Sequence, residues 1–290
     1  RMHDVALIRS LGHSDPAHLS SVHTTLTGHL APVPRSDAEP PSERDTPHLG
    51  AVMARLRPAP AGLPRVVTTP WLAHYPGAPG GAAPGQRGGW LGRAYDPMLV
   101  EGDLSQPDWT VPALQLHDGL TRSRLSSRRA LLSEVNLQRL ALEQSAAGQN
   151  LTSYQQQAAS LLTSGEVREA FDLQQEPEAI RDRYGRHIHG QCVLLARRLS
   201  ERGVPLVSIN WHNDHHTFWD THGNNFNRLQ HDLCPPADQA LAALLDDLEK
   251  LLIAVKIEMN DLPETINKRR DQLVWVGGSA DQCERGNRNR

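Results

Sequence analysis

Along the chain, short apolar runs bounded by glycine, proline and polar clusters alternate with stretches whose apolar residues recur every three or four positions. The first run, residues 4–11 (DVALIRSL), predicts a short strand with Val5, Leu7 and Ile8 apolar. Ser14-Asp15-Pro16 reads as a helix start, because proline is tolerated in a first helical turn, where its missing N–H would have no partner. That helix should cover residues 17–27 and stop at Gly28. Residues 31–46 are rich in proline, serine and charge and predict a loop; 48–56 predict a second helix and 65–69 (RVVTT) the next strand. Strand, helix, loop, helix, strand is the grammar of a parallel sheet with helices packed on it.

Residues 75–92 carry so many glycines and prolines (GAPGGAAPGQRGG) that they predict an irregular loop, either a covering or functional segment or a flexible linker. Composition is similar on both sides of it, so no domain boundary is placed there. Helical spacing follows over 126–144, with Leu131, Leu132, Val135 and Leu140, and continues over 153–162 and 166–173. Glu176-Pro177 opens another helix, and 190–202 form a further one, stopped by Gly203. A helical insertion of about 75–185 therefore separates the strand near Val67 from a second apolar strand over 204–209 (VPLVSI). An amphipathic helix begins near Phe226, and Leu241, Leu244, Leu245 and Leu248 form a core-facing stripe over 237–248.

At 290 residues the chain is long enough for one large domain or two small ones. A formal charge of −3 and a pI near 6.6 argue against a nucleic-acid or anionic-membrane surface. No apolar run reaches the roughly 18 residues needed to span a bilayer. Cys192, Cys234 and Cys283 lack metal-type spacing and leave the redox compartment open. Lysine is absent before Lys250, after which Lys256 and Lys268 follow. This change sets residues 250–290 apart as an atypical tail, of frameshifted origin or a genuine polar tail, behind a domain over 1–249.

Histidine is the unusual count. Fifteen occur, five of them between His3 and His29 and five between His212 and His231. The second group includes Trp219-Asp220-Thr221-His222-Gly223-Asn224-Asn225-Phe226, just past the predicted strand 204–209. Ligands and catalytic groups of open α/β sheets collect past the carboxyl ends of strands. Asp220 and His222 are suited to holding one hard or borderline cation; an aspartate helix cap beside a solvated histidine is the alternative. His212, Asp214, His215 and His216 sit in a polar insert that reads equally as a solvated hairpin.

The first group lies in Ser10-Leu11-Gly12-His13-Ser14-Asp15-Pro16-Ala17-His18 and continues to Ser20, Ser21 and His23. A strand ending at a helix N-terminus can hold an anion, a nucleophile or metal ligands, with a plain helix cap by Ser14 or Asp15 as the alternative. Tyr184-Gly185-Arg186-His187-Ile188-His189-Gly190 marks another helix start, where Arg186 either meets an oxyanion or forms an internal ion pair. GxGxxG, Walker A, GxSxG, CxxC and HExxH are all absent. Dinucleotide enzymes, P-loop NTPases, α/β-hydrolases and zincins thereby lose their usual signals.

Four stretches carry a family resemblance: 6–28 (ALIRSLGHSDPAHLSSVHTTLTG), 89–103 (GWLGRAYDPMLVEGD), 168–204 and 219–229 (WDTHGNNFNRL). In this order they resemble the bacterial domain-of-unknown-function family 1501, abundant in planctomycetes and related to the sulfatase and alkaline phosphatase superfamily. The resemblance implies an alkaline-phosphatase-like three-layer α/β sandwich with a mostly parallel sheet. It also implies a metal site at the strand carboxyl ends where a phosphate or sulfate ester is attacked. Counting back from Leu26-Thr27-Gly28, the nucleophile position falls on His18, with Ser14 close by; the family relatives' cysteine, threonine or serine is not there. Asp220 and His222, with His13 from the first group, are the implied ligands of a divalent zinc, manganese or calcium ion.

The superfamily's first aspartate ligand lies upstream of the matching region, and its last strand and closing Gly-Glu-Phe-Gly-Arg and Asp-His-Trp-Pro segments have no counterpart here. The expectation is therefore a fragment, incomplete at both ends, of a metal-dependent ester hydrolase that is inactive as it stands. A non-catalytic exported scaffold or carbohydrate-surface binding protein keeping the fold is the alternative. Substrates would be small-molecule or polysaccharide esters. Relatives of this family suggest a periplasmic or exported home, and the sequence leaves the localisation of this chain open.

Overall fold

The computed structural model describes residues 2–8, 10–57, 62–75, 81–111, 164–211 and 223–260, and single positions between them that include 114, 219 and 221. Its centre is a parallel sheet of three short strands, β1 (Val67–Thr69), β2 (Met98–Leu99) and β3 (Val207–Ile209), in the order β2-β1-β3. Val67 pairs with Met98 on one side and Val207 on the other. β1 is buried along its whole length, as a central parallel strand covered on both faces should be.

Among the described residues the helices with assigned bounds are α1 (His18–Thr27), α2 (Leu49–Leu56), α3 (Gly165–Phe171), α4 (Glu178–Tyr184), α5 (Ile188–Glu201), α6 (Asn225–Arg228) and α7 (Cys234–Asn260). A π turn over Leu229–Leu233 joins α6 to α7. The chain divides into two compact units, 1–244 and 245–290, and the sheet and core described here belong to the first. No described helix is long and apolar enough to cross a membrane.

Sequence dictates these helices locally. Gly28 closes α1 in the left-handed conformation at φ 73°, which glycine adopts without a Cβ penalty, and its N–H bonds the Thr24 carbonyl. His48 caps α2 and Ser164 caps α3, each side chain accepting a backbone N–H of the first turn. α5 then supplies the largest share of the core, burying Cys192, Val193, Leu194, Leu195 and Leu199 with Val67, Val100, Leu104, Phe171 and Tyr184. Burying each such side chain is worth roughly 1.5–3 kcal/mol.

Three buried polar side chains lock α5 to its neighbours. Arg198 donates to the Ala170 and Glu169 carbonyls and pairs with Glu176, which also meets Arg197 at 2.7 Å. Arg181 on α4 donates to Gln191 Oε1 at 2.8 Å, and the Gln191 amide returns bonds to the Arg181 and Gly185 carbonyls. Arg198 is thereby paired with a carboxylate, and Arg181 is hydrogen-bonded to the neutral carboxamides of Gln191 and Gln174.

The α/β class, the parallel sheet and most helices match the sequence expectation; three features depart from it. Residues 4–11 form no strand among the described positions: Met2–Asp4 is a 3-10 turn, and Leu7, Ile8 and Leu11 are 75%, 68% and 82% exposed. An apolar run becomes a strand only against a partner, and no strand of the described sheet pairs with this one. The two-residue strand β2 carries too short a pattern to be read and lies inside the expected helical insertion. The helix expected over 237–248 starts earlier and runs from Cys234 to Asn260. The helices expected over 126–144 and 153–162 fall largely outside the described residues.

The described part of the Gly/Pro-rich loop, residues 81–92, covers the protein rather than linking domains. Gly85 N donates to the buried Asp45 carboxylate at 3.1 Å, while the Arg87 carbonyl accepts from His48 N and the Asp45 carbonyl from Trp90 N. A Cβ on Gly85, which sits at φ +80°, would lie 2.9 Å from the His23 Cα. Gly85→Ala should therefore lower stability by about 1–3 kcal/mol, whereas Gly12→Ala, with nothing within 4 Å, should change it little. Thermal or denaturant unfolding of the two variants checks this; equal stabilities would show that the loop is not held as described.

Candidate functional site at the carboxyl edge of the sheet

All three strands release their chains at the same edge. β1 continues into Trp71, β3 into Asn210 and Trp211, and β2 reaches Asp103 four residues on. Asn210 N extends the β1–β3 ladder by donating to the Thr69 carbonyl at 2.8 Å. Its side-chain amide donates to the Trp71 carbonyl at 2.8 Å and to Gln86 Oε1 at 3.3 Å. The Gln86 oxygen also accepts from Ala73 N at 2.6 Å, and its amide donates to the Ala73 and Ala83 carbonyls at 2.8 Å. One buried carboxamide thus ties the ends of β1 and β3 to the covering loop.

The start of α5 meets this aromatic edge. His187 caps the helix, its Nδ1 accepting from Gly190 N at 3.1 Å. The buried His189 ring stacks on Trp211, with centroids 4.5 Å apart and planes 18° apart, and meets Trp71 edge-on at 5.7 Å. Trp211 in turn meets Trp219 edge-on at 6.2 Å, and His187 at 5.8 Å.

Asp103 accepts from Ser105 N at 3.0 Å, Ser105 Oγ at 2.6 Å and Gln106 Nε2 at 2.6 Å. Partial burial works to raise its pKa, but these bonds and the nearby His189 together hold it below the ordinary carboxylate value. Cys192 lies behind the edge, 3.7 Å from Thr69 Oγ1, and burial pushes its thiol up to about 12. It is a core thiol rather than a nucleophile.

The first histidine group forms a separate arrangement around α1. Asp15 is buried and accepts from Ala17 N and Arg35 N. Burial tends to raise its pKa, but bonds from Arg35, Ser20 and Ala17 bring it below the ordinary value. His13 accepts from Asp15 N at 3.3 Å through Nδ1, with its Nε2 3.5 Å from Thr25 Oγ1. Ser14 is exposed. His18 opens α1, stacks on Tyr75 at 4.0 Å, and has Nδ1 3.6 Å from Asp37, whose other oxygen accepts Leu19 N.

Asp220 and His222 lie outside the described residues, as do His212, Asp214, His215 and His216; what the structure describes is the chain on either side of Asp220. Trp219 rests on Trp211, and the buried Thr221 donates its hydroxyl to Asn225 Oδ1 at 2.6 Å. Among the described residues no three His, Cys, Asp or Glu side chains gather as a metal-holding group. Arg186 forms an ion pair with Asp182 and donates to the Glu178 carbonyl, so it braces α4.

Sequence reading did not single out Trp71, Asp103 or Trp211 for this edge, nor His187 and His189 individually. The available signal was positional: a tryptophan two positions past the end of each of two predicted strands, and His-Ile-His opening a helix that precedes a strand.

These features define an α/β protein with a parallel sheet and a polar, aromatic-lined carboxyl edge. The chain belongs to the family of proteins of unknown function DUF1501, whose family model matches residues 1–254. No curated protein and no solved structure matched it.

Not every histidine in the clusters is available for chemistry. His23 is fully buried; its Nδ1 lies 3.0 Å from the His29 carbonyl and its Nε2 accepts Thr46 N at 3.1 Å. A carbonyl partner requires the proton on Nδ1, and an N–H partner requires the lone pair on Nε2, so the ring is neutral. Burial lowers its pKa, against the opposing pull of the His29 carbonyl and Asp45, and burial lowers that of His48 as well.

Both folded values therefore lie below the unfolded imidazole's value of about 6.5. Their contribution to stability is complete above about pH 6.5 and is lost as pH falls through the lowered folded values. Denaturant unfolding at a series of pH values should show stability declining below about pH 6.5, with a shallower decline in His23→Gln. An identical pH dependence in the variant would contradict the neutral-ring assignment.

Proposed function

We propose that this DUF1501 protein is a metal-dependent ester hydrolase of the sulfatase and alkaline phosphatase type, built on a three-layer α/β sandwich. It acts on phosphate or sulfate esters at the carboxyl edge of its parallel sheet. The observation that carries this reading is the convergence there of three strand ends, the α5 start and the Trp219–Thr221 segment, in which Asp220 lies. Asp220 and His222 hold the ion; His13, a further donor by the family resemblance, lies in the separate arrangement around α1, beside Asp15 and Thr25. A carboxylate and an imidazole suit zinc or manganese, and the carboxylate suits calcium. A bound divalent ion supplies charge neutralisation on the ester oxygens. The family resemblance assigns attack or proton transfer to His18 and Ser14, which lie in the separate arrangement around α1, where His18 faces Asp37 and stacks on Tyr75.

A second reading, a non-catalytic carbohydrate-surface binding protein or scaffold, is favoured by one observation. The position matching the family nucleophile holds His18, engaged with Tyr75 and Asp37, where an ester hydrolase of this type has a hydroxyl or thiol-derived group.

Metal content of the purified protein and its turnover of 4-nitrophenyl phosphate and 4-nitrophenyl sulfate separate the two readings. The hydrolase reading predicts bound zinc, manganese or calcium and a loss of at least about 100-fold in kcat/KM for Asp220→Ala, on the order of 3 kcal/mol. Turnover unchanged in Asp220→Ala, or a metal-free and inactive protein, would overturn it.

A further inference from the structure

The aromatic rings at the carboxyl edge step from the core to the surface. His189 is 2% exposed, Trp211 partly buried and Trp219 39% exposed. His189 takes one face of Trp211 by stacking, and Trp219 meets Trp211 at 76°. In an edge-to-face pair only one ring presents a face, so at least one face of the Trp219 indole lies outside the contact. A single exposed tryptophan is ordinary on a protein surface. This one differs in meeting Trp211, which is itself stacked on the buried His189, and in immediately preceding Asp220 in the chain. The residue after Asp220 is fixed as well, by the Thr221–Asn225 hydrogen bond.

We infer that Trp219 is a specificity-determining residue: it receives the ring of an ester whose alcohol portion is an aryl group or a pyranose. The inference rests on the ester-hydrolase reading of the same edge and adds the class of alcohol. A flat or C–H-faced ring covers an indole face as a linear chain cannot, and ligand sites commonly pair an aromatic wall with a few polar groups. Trp211 and His189 contribute by holding the platform: a ring supported on its inner side loses less freedom when a ligand lands on it. Trp219 is a binding residue and takes no part in bond making.

Calorimetric titration with phenyl phosphate, glucose 6-phosphate and inorganic phosphate, on the wild type, Trp219→Ala and Trp219→Phe, tests the assignment. The wild type should bind at least one ring-bearing phosphate about tenfold more tightly than inorganic phosphate, a difference of about 1.4 kcal/mol. Trp219→Ala should lose that preference while binding inorganic phosphate as before, and Trp219→Phe should keep most of it. Whichever of phenyl phosphate and glucose 6-phosphate is favoured identifies the ring. Absence of a ring preference in the wild type, or its survival in Trp219→Ala, overturns the assignment even if 4-nitrophenyl phosphate is hydrolysed. A ring preference that depends on Trp219 without any hydrolysis supports the subsite and overturns the hydrolase reading instead.

Discussion

The Gln86 carboxamide is the interaction on which the arrangement of the carboxyl edge depends. Its oxygen accepts from Ala73 N and the Asn210 amide, and its nitrogen donates to the Ala73 and Ala83 carbonyls. Ala73 follows β1, Asn210 follows β3, and Ala83 belongs to the glycine-rich cover, so one buried side chain joins three segments distant in sequence. At 3% exposure its groups have no access to water, and leaving any one of them unmatched would cost about 1–3 kcal/mol. The same network anchors Trp71 through its carbonyl, and Trp71 in turn meets the His189 ring that carries Trp211. Order at the edge therefore begins with an amide and is passed outward through rings.

The histidines divide along the same physical line. His23 and His48 are buried: His23 commits both ring nitrogens to backbone groups at His29 and Thr46, and His48 Nδ1 accepts the Gly50 N–H at the start of α2. His187 and His189 stand where α5 begins, beside the strand ends, in contact with indoles. His13 and His18 lie at the surface near the start of α1, each next to a carboxylate residue. The described histidines thus serve in different ways, His23 and His48 as buried supports, His187 and His189 as rings at the strand ends, and His13 and His18 as exposed groups by α1. Only the three-dimensional partners of each ring distinguish them.

Much of the scaffold was legible because its signals are local. Gly28 and Gly203 end helices where a left-handed residue is needed, and His48 and Gly190 flank helix starts within one or two residues of their expected places. The strand at Val67 and the strand at Val207 stood out as apolar runs between breakers. Residues 4–11 misled because an apolar alternation specifies only the capacity to pair, and pairing requires a neighbour elsewhere in the chain. β2 was missed because two residues carry no period. Asp15 illustrates the limit at the candidate site: its place beside a helix start suggested a cap or a ligand. Its second oxygen accepts Arg35 N, twenty residues away, a long-range partner that no spacing encodes.

The proposed hydrolase would hold its ion at the carboxyl edge of the β2-β1-β3 sheet, on the segment carrying Asp220 and His222. The most direct measurement is the position of a bound ion, located by anomalous scattering from crystals grown with manganese or zinc. A single strong peak is expected beyond the ends of β1 and β3, ligated by Asp220 and His222, on the side of the sheet edge where Trp219 lies. An ion bound elsewhere on the protein, or a peak at this edge that leaves both Asp220 and His222 out of its coordination, would contradict it.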